Sequence, residues 1–494
     1  MAVFEPPPLL RPLFLRIDAL AAARGESAFA VGGTVRDVLL GRQVRDIDLG
    51  VEDDALTFAR ALAADFDGHY VPLDDANGIA RVVLIDSSVR HIDVAGVPGK
   101  IEADLLRRDF TIDALAAPVP GGDVIDVTNG LADLRAGVVR MVSAANLDAD
   151  PLRLLRAVRL AGELGFSLEP ETAAAVTSRA GRIGEAAPER RRDELARIFA
   201  LDQVEPSLRL LDHLGLLDQL IPEMASGRGV SQPANHHAYD VFEHAMHAVA
   251  ALDVMLAPIR PEGDRVWIHE EFWSGFAWCQ DALRAYLLEE LSEGRTRGTV
   301  LKLTTFLHDV AKPETRTVEP DGRIRFFGHA DRGAVVARRI MRRYRFSSAE
   351  TAFAVKLVGE HLRPVQLAQV GEAPTARAIY RFHRDLGDAA PAVLLLALAD
   401  AAGSRGPGMT RAGWSGHVAY MNSLLVRLRE TEGIVSAPRL LTGHDIMSEF
   451  GLSEGPRIGL LLEGLGEAQA TGEVRDREGA MAYVRARLSR EEGT

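Results

Sequence analysis

Apolar and polar positions divide the chain into two regimes. The first, up to about residue 145, is short and mixed. Ala28–Val31 is an apolar run ended by Gly32–Gly33, and Asp46–Val51 alternates acidic and apolar residues, as a strand with one wet face does. Val82–Ile85, Val89–Val94 and Val124–Val127 are further strand candidates. Thr34–Gly41 carries Val35, Val38 and Leu39 on one side of a helix. Residues 14–65 therefore read as helix, strand, Gly-rich turn, helix, strand, helix, and the region as a small mixed sheet with helices. From about Asp150 helical periodicity takes over, in Leu152–Leu164, Glu189–Ala200 and Pro206–Leu217. Residues 236–403 continue as helices. Within them 258–297 reads as an insertion, with Pro258, Pro261, Gly263, Gly294 and Gly298 at its ends and Trp267, Trp273 and Trp278 inside. Residues 404–415 read as a linker, followed by a final helical segment from about 418 to 490. There is no internal repeat and no low-complexity tract.

Composition narrows this picture. At ~150 residues per domain, 494 residues suggest about three domains. Hydrophobic residues at 47% and charged residues at 26% are ordinary for a soluble protein. No apolar run reaches about 18 residues, so no membrane span is expected. The Pro-rich start, Met1 to Arg11, has no signal-peptide pattern. Cys279 is the single cysteine, which rules out a disulfide within the chain and fits a reducing, cytoplasmic setting. Among Trp273, Phe276 and Trp278 it reads as a buried apolar residue rather than a nucleophile. A net charge of −13 argues against a broad nucleic-acid-binding surface, though not a local one.

Candidate chemistry concentrates in Val31-Gly-Gly-Thr-Val-Arg-Asp-Val-Leu-Leu-Gly-Arg-Gln-Val-Arg-Asp-Ile-Asp-Leu49. The glycines let backbone N–H groups approach a phosphate, and the helix N-terminus after them favours anions. Asp46 and Asp48 lie two apart on a strand, so both carboxylates leave one face. Carboxylates beside a phosphate cradle suit Mg²⁺ and a triphosphate. Asp93, acidic between apolar neighbours, is a third candidate. The plainer reading of each half alone is a turn and two solvated strand residues. A second cluster is His308-Asp309, inside Thr305-Phe-Leu-His-Asp-Val-Ala-Lys312. It is costly to bury on an apolar helix without a purpose. His237 and His244 precede it, and His329, His361 and Asp400 follow. Taken singly, each histidine reads as a hydrogen-bonded structural residue.

These motifs resemble the class II form of the bacterial tRNA nucleotidyltransferase/poly(A) polymerase family, whose head signature matches at every fixed position. The resemblance implies that Gly32, Gly33, Arg36 and Asp37 belong to the nucleotide site, with Asp46, Asp48 and Asp93 catalytic and Asp46 and Asp48 holding Mg²⁺. The block Arg107-Arg-Asp-Phe-Thr-Ile-Asp113 brings Arg108 and Asp109 towards the ribose, with Asp113 standing where the family usually has Asn. In Asp150-Pro-Leu-Arg-Leu-Leu-Arg-Ala-Val-Arg159, Asp150 reads as a helix cap, and Arg153 and Arg156 lie one turn apart. The resemblance makes Asp150, Arg153, Arg156 and Arg159 the side chains that read the base edge of CTP or ATP. Ala149 stands where the family often has Glu. Glu189-Arg-Arg-Arg-Asp-Glu194 matches a block that braces the nucleotide-binding helices. The histidine-rich segment resembles the HD phosphohydrolase domain. That implies His244, His308, Asp309 and Asp400 as ligands of a divalent transition metal such as Ni²⁺, Mn²⁺ or Fe²⁺, and His329 and His361 as contacts for substrate or a second metal. Leu440-Leu-Thr-Gly-His-Asp-Ile-Met447 and the helix after Gly455 resemble the family's C-terminal tail.

The expectation is an α+β protein: a small mixed-sheet, polymerase β-like head at 14–145 and an elongated all-α body. The body divides into a nucleotide-selecting, tRNA-binding part at 146–228, an HD domain at 229–403 with the insertion 258–297, and a tRNA-binding tail at 418–490. The implied activity is template-independent addition of CCA to the tRNA 3′ end from CTP and ATP, with phosphoester hydrolysis at RNA ends by the HD domain. CC-only, A-only or poly(A) addition remains open, as does a metal phosphohydrolase whose head only binds RNA. No membrane or protein partner is expected.

Overall fold

The computed structural model describes residues 2–492 except 53, 77, 86–88, 234–236, 264, 369–373 and 436–438. Residue 264 of the expected insertion and 436–438 of the expected final segment thus lie outside the described residues. The chain forms two compact units, one of Met1–Ile198 with Leu210–Leu220, the other of Phe199–Arg209 with Ile221–Thr494.

The first unit holds a seven-stranded sheet: β1 (Ala28–Val31), β2 (Asp46–Val51), β3 (His69–Asp74), β4 (Ile79–Val83), β5 (His91–Gly96), β6 (Leu115–Pro118) and β7 (Ile125–Asp126). Their spatial order is β3-β4-β5-β2-β1-β6-β7. All neighbours are antiparallel except the central pair β2–β5, which is parallel. Ile47, Leu49, Val51, Ile92 and Val94 are buried there, as a central parallel pair requires. Over β4 and β5 lies the helix Ala55–Asp65, opened by Asp54, whose carboxylate accepts from Thr57 N at 3.1 Å. Phe58 and Leu62, one turn apart, are fully buried beneath it and contribute about 1.5–3 kcal/mol each. The sheet confirms β1 and β2 as expected and shifts the other three candidates by a few residues. It adds β3 and β6, which had no strand expectation.

After the sheet come the helices Arg153–Leu164 and Pro188–Phe199. The first buries Leu154, Leu155, Val158 and Leu160 and ends at Gly165, whose φ of +68° is the left-handed cap glycine permits. The expected helix Pro206–Leu217 is two, Glu205–His213 and Leu216–Leu220, because Gly215 turns the chain at φ +71°.

The second unit packs helices around Val241–Leu256, Arg297–Leu307, His329–Arg343, Ser348–Glu360 and Ala390–Arg405. Val241–Leu256 and Ala390–Arg405 touch closely at Gly403, where an added Cβ would lie 2.7 Å from the Ala248 backbone nitrogen. Ala376–Arg405 is one stretch long and apolar enough to cross a membrane by composition, but 72% of its apolar window is buried in this core. The expected linker 404–415 is a correction. Helix Ala390–Arg405 runs into it, a short 3₁₀ turn follows at Gly406–Gly408, and a helix starts at Arg411. Trp414 is fully buried there, its indole donating to Ile268 O at 3.1 Å. The expected insertion folds as helices Val266–Gly275 and Gln280–Leu288 and a hairpin of Glu290–Ser292 with Arg295–Thr296. Cys279 within it is buried.

Candidate active site

The first site is built by sheet register. In the parallel pair, Asp46 lies beside His91 and Asp48 beside Asp93, so three carboxylates share one face. Gly32, at φ +60°, ends β1 and begins the helix Gly33–Leu39. An added Cβ on Gly32 would come 2.6 Å from the Arg108 guanidinium, while one on Gly33 would touch Asp48 Oδ2 at 3.6 Å. The glycine turn therefore lies against Asp48, and the Thr34 hydroxyl accepts from Asp48 N at 2.7 Å. Each outer carboxylate has a nitrogen partner. Arg81, across the antiparallel β4–β5 pair, holds Asp93 through Nε at 2.7 Å and Nη2 at 2.8 Å. His91 Nδ1 lies 3.2 Å from Asp46. Asp48 has no such partner close by among the described residues. Burial pushes its carboxyl up to about 6, with Asp93 and Asp113 adding to the rise against Arg108.

Behind the turn is a buried charge cluster. Arg36 donates to Asp113 at 2.5 Å and to Asp37 at 2.9 Å. Arg156 donates to Asp109 at 2.5 Å and lies 3.7 Å from Asp113. Burial works against each guanidinium, yet these carboxylates outweigh it and hold both above the ordinary arginine range. Burial likewise opposes the Asp109 charge, and Arg156 overcomes it, leaving the carboxyl below its ordinary value. Asp150 Oδ1 accepts from Leu152 N at 3.1 Å, as a cap would, although the regular helix starts at Arg153. Arg190 pairs with Asp150 at 2.7 Å. Arg153 donates to the carbonyls of Arg107 and Asn146. Arg159 is buried between Glu194 at 2.7 Å and Glu163 at 2.5 Å, which ties the helices Arg153–Leu164 and Pro188–Phe199 together. Arg36, Arg108, Asp109, Asp113 and Arg156 are thus one network, and Arg159 sits in a separate brace.

The second unit gathers the other cluster. His244 Nε2 lies 3.1 Å from His308 Nε2, 3.3 Å from Asp309 and 3.1 Å from Asp400. His308 Nε2 is 3.2 Å from Asp309 and 3.8 Å from Asp400. His308 Nδ1 lies 2.8 Å from Thr305 O, a contact that turns Nε2 towards the carboxylates. On the other side of Asp309, its Oδ1 lies 3.4 Å from His329 Nε2 and 3.7 Å from His361 Nε2. These last three atoms are buried and make no hydrogen bond, the condition of lone pairs aimed at a cation. The donor set of imidazoles and carboxylates fits a divalent transition metal.

A model of the poly(A) polymerase head domain matches residues 28–140, and one of the probable RNA and SrmB-binding site of polymerase A matches 165–227. The A-adding tRNA nucleotidyltransferase of Deinococcus radiodurans is 37% identical, over 92% of this chain and 94% of its own. The CC-adding tRNA nucleotidyltransferase of Thermus thermophilus is 33% identical over 93% of each chain.

The chain belongs to the tRNA nucleotidyltransferase family.

Solved structures of this family have the same fold. A CCA-adding enzyme with ATP aligns with a TM-score of 0.60 at 21% identity, covering 98% of this chain and 95% of that one. The Thermotoga maritima CCA-adding enzyme complexed with tRNA aligns at 0.53 and 21%. Three residues of this nucleotidyltransferase had no place in the sequence reading. Arg81 and His91 hold Asp93 and Asp46 by strand pairing, and nothing in the spacing signals Arg81. Lys312 Nζ lies 2.6 Å from Asp309 and donates to Gln232 Oε1 at 2.7 Å. Its i+3 spacing from Asp309 was a usable signal. Burial opposes the charges of Asp309 and Asp400, but His308, His244 and, for Asp309, Lys312 hold both well below the carboxylate range. The same carboxylates push His308 up to about 10 against its burial.

Proposed function

We propose that this enzyme extends the 3′ end of tRNA without a nucleic-acid template, taking CTP and ATP in the head and releasing pyrophosphate. The observation that carries this is the register of β2 and β5, which sets Asp48, the carboxylate against the Gly32–Gly33 turn, beside Asp93. Asp46, Asp48 and Asp93 would hold Mg²⁺. Bound there, the ion neutralises the triphosphate and lowers the pKa of the attacking ribose hydroxyl. The backbone at Gly32–Gly33 receives phosphate, Arg36 and Arg108 add positive charge behind it, and Asp109 lies towards the ribose. Asp150 and Arg153 choose the base by accepting from its exocyclic amine and donating to its ring acceptors. Residues 14–145 are assigned to this head, 146–228 to nucleotide selection and 418–490 to the tRNA body. The lone buried Cys279 agrees with a cytoplasmic setting.

Purified protein incubated with tRNA lacking CCA and each nucleotide tests the proposal. Incorporation of C and then A is expected, and Asp48→Asn abolishes it. Unchanged addition by that variant would remove the assignment. A single-nucleotide reading also has support: of four relatives matched over more than nine-tenths of this chain, one is named for A and three for CC addition. Addition of A alone, to tRNA ending in CC, would establish it.

The second cluster supports a further activity, phosphoester hydrolysis in an HD-type domain at 229–403. His244, His308, Asp309 and Asp400 would hold a divalent transition ion, with Mn²⁺, Ni²⁺ and Fe²⁺ the candidates. Release of product from a 2′,3′-cyclic phosphate, lost in Asp309→Ala, is the expected result. No release by wild type with any of these ions would exclude it.

A further inference from the structure

The expected insertion lines a cavity of about 510 Å³, within the size range of small-ligand sites. Its walls come from Gln280–Leu288, the start of Ala390–Arg405 and the helix Arg411–Val435, all in the second unit. We propose that it binds a nucleotide residue, with the base stacked on Trp278 and the phosphate at Arg429.

Four observations support this. Trp278 is 42% exposed although it borders a cavity, so the part of its ring that Arg429 leaves uncovered is accessible to a planar group. Its indole is fixed at the edge, donating to Asn422 Oδ1 at 2.6 Å. The Arg429 guanidinium lies over the ring, 5.4 Å from its centroid, and has no carboxylate partner among the described residues. An arginine placed on an aromatic face and left without an anion is a phosphate contact in waiting. The far wall carries base-edge chemistry. Arg297 is buried there over the Tyr286 ring, and its Nη2 holds Asp388 and Glu289, each at 2.9 Å. Those carboxylates are mostly exposed and retain lone pairs that accept from an exocyclic amine. An aromatic ring beside a cation that has no carboxylate partner among the described residues is the pairing by which single nucleotides are held, and the carboxylates add acceptors for a base edge. The proposal does not depend on the nucleotidyl-transfer reading.

A free mononucleotide and a nucleotide within single-stranded RNA share this chemistry. Equilibrium dialysis of the full-length protein in EDTA, with labelled AMP and with labelled tetra-adenylate, distinguishes them. At least one ligand is expected to bind wild type, and Trp278→Ala or Arg429→Gln to weaken it about tenfold or more. Trp278→Phe, which keeps a stacking ring, is expected to retain most of the binding. Thermal unfolding of each variant checks that the fold is intact. Binding of AMP alone assigns the pocket to free nucleotide, and binding of the oligomer alone to RNA. No binding to wild type at millimolar ligand, or equal binding by wild type and both disabling variants, overturns the proposal.

Discussion

Replacing Asp113 by Asn, the residue usual in the family, separates two roles for this position. Its carboxylate accepts from Arg36 at 2.5 Å and lies 3.7 Å from Arg156. Truncating one member of a buried ion pair costs about 3–5 kcal/mol when the other charge is left alone. Here neither charge is left alone, because Arg36 keeps Asp37 at 2.9 Å and Arg156 keeps Asp109 at 2.5 Å. The Asn oxygen still accepts from Arg36, so the loss is that of turning a charged acceptor into a neutral one, about 1–2 kcal/mol. For a unit of this size that lowers the unfolding midpoint by roughly 2–8 °C. The same change removes a negative charge from beside the proposed triphosphate site, so KM for the nucleotide is expected to fall or stay level while kcat changes little. Circular dichroism melting and initial rates over a range of nucleotide concentrations measure both. A rise in KM of about tenfold or more, worth ~1.4 kcal/mol, would refute the reasoning and make Asp113 a direct nucleotide contact.

The raised carboxyl of Asp48 has a pH consequence. A proton and a cation compete for it, so at subsaturating Mg²⁺ nucleotide addition is expected to fall as pH drops through about 6, and more Mg²⁺ to move the midpoint down; a midpoint unmoved by Mg²⁺ contradicts this. His308, pushed up to about 10 in the metal-free protein, carries a proton at pH 7.5 that must leave when its Nε2 ligates. Calorimetric titration with Mn²⁺ in buffers of different ionisation enthalpy is expected to show release of about one proton, and none released would count against His308 as a ligand. Gly403→Val sets a branched side chain against Ala248 backbone and pushes apart the helices bearing His244 and Asp400. We expect a loss of about 1–3 kcal/mol or more in melting experiments and weaker Mn²⁺ binding, with nucleotide addition retained below the melting range; unchanged Mn²⁺ affinity would show that the helix spacing does not set the site.

Local pattern made part of this molecule legible. Asp46 and Asp48 announced their shared face because strand side chains alternate within a few residues. His308-Asp309 stood out because adjacent ionisable groups in an apolar helix are expensive. Pairing across the sheet was not legible. Arg81 meets Asp93 only because β4 and β5 pair in that register, and the eleven residues of chain between them carry no mark of it. β3 was missed because an edge strand exposed at His69, Val71, Pro72 and Leu73 has no apolar face to alternate. β6, Leu-Ala-Ala-Pro, was missed because alanine has little strand preference and its burial comes from neighbours. The false linker at 404–415 followed from reading Gly406, Pro407 and Gly408 as a flexible run. A glycine-proline turn between two packed helices has the same composition, and the buried Trp414 shows which it is.

The β2–β5 register also decides where this protein can change length. Residues 52–90 leave β2, make a helix and a hairpin, and return as β5. Residues added in that excursion's turns would cost little, since closing a longer loop is cheap. One residue added or removed inside β2 or β5 would instead turn every later side chain of that strand to the opposite face. Insertion in the excursion lengthens a surface; insertion in the strand parts Asp48 from Asp93 without altering either residue.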